Sequence, residues 1–66
     1  MINHVKEMRV NLGMTQQELG DILKVSRQTI FSIETGKYVP STILSLKISK
    51  IFNKSVEEVF VLDKND

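Results

Sequence analysis

The chain contains no cysteine and only one histidine, His4. Without cysteine, neither disulfides nor thiolate-bound metal ions can hold the fold together, so apolar packing must supply the stability. One histidine, with no Gly-rich phosphate loop and no metal-ligand spacing, argues against catalysis and against any cofactor or metal. We expect a binding protein that is not an enzyme, with His4 as an ordinary solvated residue.

Long apolar runs and a strong net charge are also absent. No stretch approaches the ~20 apolar residues of a membrane span, and no basic region followed by an apolar one opens the chain. Nine Lys and Arg residues against eight Asp and Glu residues give a net charge of +1. The sequence therefore predicts one cytoplasmic domain over residues 1–66 that makes no membrane contact, and charge alone does not identify its partner.

Four hydroxyl residues carry helix-start signals. Thr15 with Glu18, and Ser55 with Glu58, have the spacing of a capping box, and Ser26 and Ser41 open two further helices. Together with apolar residues at helical spacing, they predict five helices over about residues 3–12, 16–23, 27–35, 42–52 and 56–60. The apolar residues that define these helices are Val5, Met8, Leu12, Leu19, Ile22, Leu23, Ile30, Ile33, Leu44, Ile48, Ile51 and Phe52. The expected fold is all-α, and the tail 59–62 is compatible with a short edge strand.

Helices two and three are separated only by residues 24–26, which forces a steep crossing, the arrangement of a helix-turn-helix over about residues 16–35. Gly20 provides the small residue that such a crossing needs, although it could also be only a weak helix position. The outward side of helix three carries Arg27, Gln28, Phe31, Ser32 and Thr35. Arg and Gln match the edges of guanine and adenine. A merely solvated face is the alternative, and the turn favours base reading.

Arg9 and Glu34 fall on the apolar stripes of helices one and three. An unpaired buried charge is very costly. We therefore predict a structural ion pair between these two residues that ties the two helices together.

Three strings, LGMTQQEL at 12–19, VSRQTI at 25–30 and IETGKYVP at 33–40, make residues 5–60 resemble the phage repressor and Cro type of helix-turn-helix, the Xre family. The resemblance implies that helix three is the recognition helix and that the Arg9–Glu34 pair is a family feature. The implied base contacts are Arg27, Gln28 and Ser32, to which we add Phe31. The expected DNA-backbone contacts are Gln16, Thr35, Lys37 and Tyr38, together with the caps Thr15 and Ser26.

The chain departs from its relatives at two positions. Lys24 stands in the turn where many relatives have Gly, so either Lys24 accepts a strained backbone or the turn differs. Phe31 is an unusual aromatic on a recognition helix, and three roles stay open for it: a contact with a thymine methyl group, cover for a neighbouring side chain, or a contact with a partner protein.

The chain is also similar to a compact subgroup in which the C-terminal segment, here about residues 53–66, forms a strand and contributes to a two-fold dimer. The interface candidates are Val56, Val59, Phe60 and Leu62. The alternative for Val56 and Phe60 is that they seal the core of one chain. We further expect the segment 61–62 to pair with Met1 and Ile2.

These features predict a homodimeric transcriptional regulator, a repressor that binds double-stranded DNA at a palindromic operator. The alternative is an antitoxin-like or accessory module that uses the same fold to bind a protein through helix three or Phe31. Gel shifts with genomic DNA fragments would distinguish the two.

Overall fold

The computed structural model describes all residues, 1–66, and has five helices and two short strands. In chain order they are β1 (Ile2–Asn3), α1 (Val5–Asn11), α2 (Gln16–Leu23), α3 (Arg27–Glu34), α4 (Thr42–Phe52), α5 (Val56–Val59) and β2 (Phe60–Val61). The predicted five-helix fold with a C-terminal strand is confirmed. No helix is long and apolar enough to cross a membrane.

The start of α1 differs from the sequence prediction. Helix one begins at Val5 rather than near residue 3, because Ile2 and Asn3 form β1 and pair antiparallel with Val61 and Phe60. Asn3 also ends the extended segment with its side chain, whose Oδ1 accepts from the Val5 N–H at 3.2 Å. The expected contact between the two chain ends is confirmed at the pair Ile2–Val61, whereas Met1 and Leu62 lie just outside the sheet.

The predicted caps determine where the other helices begin. The side-chain oxygens of Thr15, Ser26, Ser41 and Ser55 each accept from the third residue of their helix. Both predicted capping boxes are complete, because Glu18 and Glu58 bond back to the N–H of Thr15 and of Ser55 at 2.8 and 2.9 Å. Each cap satisfies N–H groups that would otherwise have no partner.

One hydrophobic core joins all five helices. Its nine buried residues are Val5, Leu19, Leu23, Ile30, Ile33, Ile48, Phe52, Val59 and Phe60. Of the other predicted stripe residues, Met8, Leu44 and Ile51 are partly buried and pack against this core, whereas Leu12 and Ile22 are 55% and 52% exposed and lie outside it. Leu12 is the residue that ends α1 and so leaves the helix face, and Ile22 lies on the outer side of α2.

The two ends of the chain meet beyond the sheet. The α-amino group of Met1 lies 3.0 Å from a carboxylate oxygen of Asp66 and 3.4 Å from one of Asp63. The hydrogen bond to Asp66 raises the pKa of this amino group above its ordinary value. The Asp63 N–H, followed by the amino group, lowers the pKa of the Asp66 carboxyl.

Candidate nucleic-acid interface

Helix α3, the predicted recognition helix, has one buried and one exposed side. Ile30 and Ile33 are 0% and 1% exposed and hold the helix against the core. Arg27, Gln28 and Phe31 are exposed, and Ser32 is half-buried beside them. Because residues one turn apart share a face, the four predicted base-contacting residues form one continuous outward surface.

The turn before α3 has the geometry that a close helix crossing requires. A Cβ atom added at Gly20 would lie 2.7 Å from the carbonyl oxygen of Val25, which confirms that Gly20 allows close packing. Lys24 has φ 60° and ψ 40° and ends α2 in the left-handed conformation. Of the two alternatives for Lys24, the strained backbone is therefore the one observed, in a conformation that glycine would adopt without strain.

A buried ion pair connects three helices behind the recognition surface. The Arg9 Nε and Nη2 groups donate to the two carboxylate oxygens of Glu34 at 2.7 and 3.2 Å, as predicted. The Gln16 amide donates to Glu34 Oε1 at 3.1 Å, and Arg9 Nη1 donates to the Met14 carbonyl at 2.8 Å. The side chains of Arg9 and Glu34 are only 10% and 3% exposed, so this network positions α3 from within the protein.

The expected phosphate-binding side chains differ in how many hydrogen-bonding groups they have free. Gln16 uses one amide hydrogen on Glu34 and keeps the other. The Thr15 oxygen accepts from the Glu18 N–H, which leaves its hydroxyl hydrogen free to donate. Thr35 differs, because its hydroxyl donates to the Phe31 carbonyl at 2.9 Å. It would have to rotate away from that carbonyl to donate to a phosphate.

The loop after α3 turns back beside the recognition helix. Gly36 has φ 77°, and the N–H groups of Lys37 and Tyr38 both donate to the Ser32 carbonyl, at 2.9 and 3.2 Å. The side chains of Lys37 and Tyr38 are exposed. An open groove of about 510 Å³ lies here, lined by Val25, Ser26, Gln28, Thr29, Ser32, Tyr38 and Leu44.

Sequence reasoning missed Val25, Thr29 and Leu44 as members of this groove. The Thr29 N–H donates to the capping oxygen of Ser26 at 3.1 Å, and helical spacing predicts Leu44 to be a core residue of α4. Only the packing of α4 against the turn brings Leu44 to the groove. No pattern in the sequence indicates this contact.

The basic residues of the exposed surface have no carboxylate partners. Among all Lys and Arg side chains, Arg9 alone forms an ion pair within 4.0 Å. Arg27 and Lys37 therefore keep their full hydrogen-bonding capacity for an anionic ligand. No three acidic or histidine side chains converge as a metal site would require.

The expected dimer residues divide into two groups. Val59 and Phe60 are 0% and 9% exposed within one chain, and Val56 packs against the same core. Val56 and Phe60 therefore seal the core of one chain, which is the alternative noted for them above. Val59 is fully buried within the same chain and so has no exposed surface for contact with a second chain. Leu62 is 77% exposed, and Val61 beside it is partly exposed.

Comparisons with known proteins agree with this geometry. The helix-turn-helix family model matches residues 5–59. The chain is 47% identical, over the full length of both proteins, to the uncharacterized HTH-type transcriptional regulator YgzD of Bacillus subtilis. It is 42% identical, again over both full lengths, to the HTH-type regulator MJ0272 of Methanocaldococcus jannaschii. A competence pilus inhibition repressor of Acinetobacter baylyi is 34% identical over 61 residues, which cover 92% of this chain and 56% of that protein.

Proposed function

This chain belongs to the Xre-type helix-turn-helix family of DNA-binding transcriptional regulators, and from that premise we propose that it is a repressor that binds a palindromic operator as a homodimer. The observation that carries the proposal is the exposed polar face of α3, which a buried ion pair and two buried isoleucines hold outward. In this proposal the chain binds DNA and catalyses no reaction. Since a regulator works where the chromosome lies, its place in a bacterial or archaeal cell is the cytoplasm.

The recognition helix enters the major groove with its N-terminal half. There the Arg27 guanidinium donates to guanine O6 and N7, and the Gln28 amide pairs with adenine N6 and N7, each for about 1–3 kcal/mol of discrimination. Ser32 and Phe31, one turn further along, contact the next base edges. The apolar ring of Phe31, which is 41% exposed, suits a thymine methyl group better than a polar base edge.

The DNA backbone on both sides of the groove is bound by the elements that flank α3. The N-terminus of α2, with Thr15 and Gln16, contacts one strand, and the N-terminus of α3 at Ser26 contributes its free N–H groups. Lys37 and Tyr38 contact the other strand. Such contacts set the affinity and its dependence on salt, and carry no sequence information themselves.

Two copies bind together because one recognition helix reads too few base pairs for a unique site. A two-fold dimer places the second α3 about 34 Å away, in the next major groove on the same side of the DNA. The exposed side chains of Leu62 and Val61 provide the apolar contact, and the buried Val59 and Phe60 hold that tail in place. A regulator bound in this way represses by blocking polymerase. Repression is also the role that its name gives to the Acinetobacter baylyi relative.

Selection of binding sites from random double-stranded DNA tests the proposal. We expect enrichment of a palindrome whose half-sites are about 10 base pairs apart. The Arg27→Ala/Gln28→Ala variant, whose changed side chains are exposed, is the matched control and should fold normally but enrich no consensus. If the unaltered protein enriches no sequence, specific DNA binding is excluded, and a consensus without symmetry excludes the palindromic dimer alone.

A further inference from the structure

A second groove lies between α2 and α4, and DNA recognition makes no use of it. Its volume is about 340 Å³, and it is lined by Ile22, Leu23, Lys24, Lys47, Lys50 and Ile51. We call these six residues the lysine groove. No residue of α3 lines it, so its surface is separate from the face that reads bases.

The lysine groove combines an apolar floor with an uncompensated positive rim. Ile22 is 52% exposed at a position where helical spacing would place a core residue, and Ile51 is half-buried beside it. The ammonium groups of Lys24, Lys47 and Lys50 form no ion pair, and no carboxylate is among the lining residues. Three cations around exposed apolar side chains are complementary to a ligand that is both acidic and apolar.

We propose that the lysine groove binds an acidic amphipathic helix of a protein partner. An open trough between two helices receives the apolar side of a third helix, whose leucine-type anchors would lie on Ile22 and Ile51. Acidic side chains at the edges of the bound helix then face Lys24, Lys47 and Lys50. A small molecule would remain largely exposed in so open a site, and a DNA backbone would have no use for the apolar floor.

The position of the groove connects such a partner to DNA binding. Lys24 is the left-handed residue of the turn, two residues before the cap of the recognition helix at Ser26. A helix bound to Lys24 therefore touches the segment that orients α3 while it leaves Arg27 and Gln28 free. The partner and the DNA can be bound at the same time.

Titration of the full chain with defined peptides tests this proposal. The probe is a fluorescein-labelled helical peptide of about 14 residues with leucine at every third or fourth position and glutamate elsewhere. One control peptide replaces the glutamates with lysine, and another replaces the leucines with serine. We expect saturable binding of the probe, at least about tenfold tighter than that of either control. Backbone amide shifts in NMR spectra should change in the lysine groove and not along α3.

Charge reversal with a matched control separates the groove from general electrostatics. Lys47→Glu/Lys50→Glu should weaken binding of the probe by about tenfold or more, whereas Lys6→Glu/Lys64→Glu changes the net charge equally and should weaken it less than about threefold. Should the first pair impair folding, Ile22→Ser serves instead, because Ile22 is already exposed. Equal losses in both pairs, NMR shifts confined to α3, or no saturable binding would overturn the proposal. Binding of the same variants to operator DNA is measured separately, so a failure of the groove leaves the DNA assignment intact.

Discussion

At the scale of single residues, the chain accepts local backbone strain in the turn before α3. Lys24 and Asn53 are the non-glycine residues with positive φ, at 60° and 54°, and each ends a helix. Asparagine tolerates this conformation well, whereas lysine does so at a cost of about 1–2 kcal/mol. The cost at Lys24 is offset by the core packing of Leu23 and Ile30 on either side of the turn.

The base-reading role proposed for Arg27 predicts a change in specificity. Arg27→Ala should reduce discrimination between the selected operator and random DNA by about 1–3 kcal/mol, because a bidentate contact to one base is removed. Fluorescence anisotropy with both DNAs measures it. The control Lys37→Ala should weaken binding to both DNAs alike and lower the slope of log K against log salt by about 1. Unchanged discrimination in Arg27→Ala would contradict the assignment.

The close backbone contact at Gly20 predicts that a single added methyl group will destabilise the fold. In Gly20→Ala the new Cβ would lie 2.7 Å from the Val25 carbonyl oxygen, which is backbone and cannot move away cheaply. We expect a net loss of about 1–3 kcal/mol despite the better helix propensity of alanine. Urea denaturation followed by circular dichroism measures it, with the exposed Gln17→Ala as the control on the same helix. A more stable Gly20→Ala would show that the crossing is loose.

At the scale of secondary-structure elements, the buried ion pair is what ties α1 and α2 to α3. Arg9 and Gln16 both donate to Glu34, and the backbone carbonyl of Met14 accepts a further bond from Arg9. The network is fully hydrogen-bonded, and no buried side-chain polar atom in the protein lacks a partner. The network therefore positions α3 as well as stabilising the fold.

Removal of one member of the pair should destabilise the fold strongly. Glu34→Ala leaves the Arg9 guanidinium buried without a counter-charge, for a cost of about 3–5 kcal/mol, most of the stability expected of so small a domain. The double variant Arg9→Leu/Glu34→Leu removes both charges and should recover much of that loss. Thermal unfolding compares them with the exposed control Glu57→Ala. A Glu34→Ala variant within about 1 kcal/mol of the unaltered protein would contradict this role.

The cap of α5 predicts a pH-dependent contribution to stability. The Ser55 N–H, donating to Glu58, lowers the pKa of this carboxyl below its ordinary value. A lowered folded-state pKa means that the contribution is fully present above the unfolded-state pKa and is lost as pH falls through the folded-state value. The difference in unfolding free energy between the unaltered protein and Glu58→Gln should therefore shrink between about pH 6 and pH 3. Glu57→Gln, which removes a carboxylate without hydrogen bonds from the same turn, should show a smaller change.

At the scale of the whole molecule, the core includes the first residues of the C-terminal tail but not the residues that follow them. Val59 and Phe60 are part of the hydrophobic core, and β2 pairs with β1 at the other end of the chain. Beyond them Val61 and Leu62 are exposed, whereas Asp63 is half-buried beside the Met1 amino group. The tail is thus anchored in one chain and free to contact another.

The proposed dimer predicts that Leu62→Asp separates the two copies without unfolding them. Leu62 is 77% exposed, so the charge costs nothing in the core, but it would be desolvated in an apolar interface. Sedimentation equilibrium should give a dimer for the unaltered protein and a monomer for Leu62→Asp, with matching loss of operator affinity. Leu46→Asp is the control, since Leu46 is an equally apolar and 55% exposed residue of α4. Dissociation by Leu46→Asp alone would move the interface to α4.

The helices, the turn and the ion pair could all be predicted from the sequence, the first two because they depend on neighbours along the chain. Caps at Thr15, Ser26, Ser41 and Ser55 specify helix starts locally, and a charge on an apolar stripe requires a partner wherever the helices meet. The outward face of α3 followed from the same periodicity, since burial of Ile30 and Ile33 leaves only one side of the helix exposed.

Which apolar residues are buried, and which residues of the two chain ends pair, depended on the tertiary structure. Helical spacing alone cannot distinguish Ile22, which is 52% exposed, from Leu23, which is buried. Contact between the chain ends was expected, but its register, Ile2 with Val61 and Asn3 with Phe60, has no local signal because a two-residue strand has no periodicity. Contacts between residues distant in sequence depend on how the helices pack, and packing places the lysine groove and the exposed tail where a local pattern cannot.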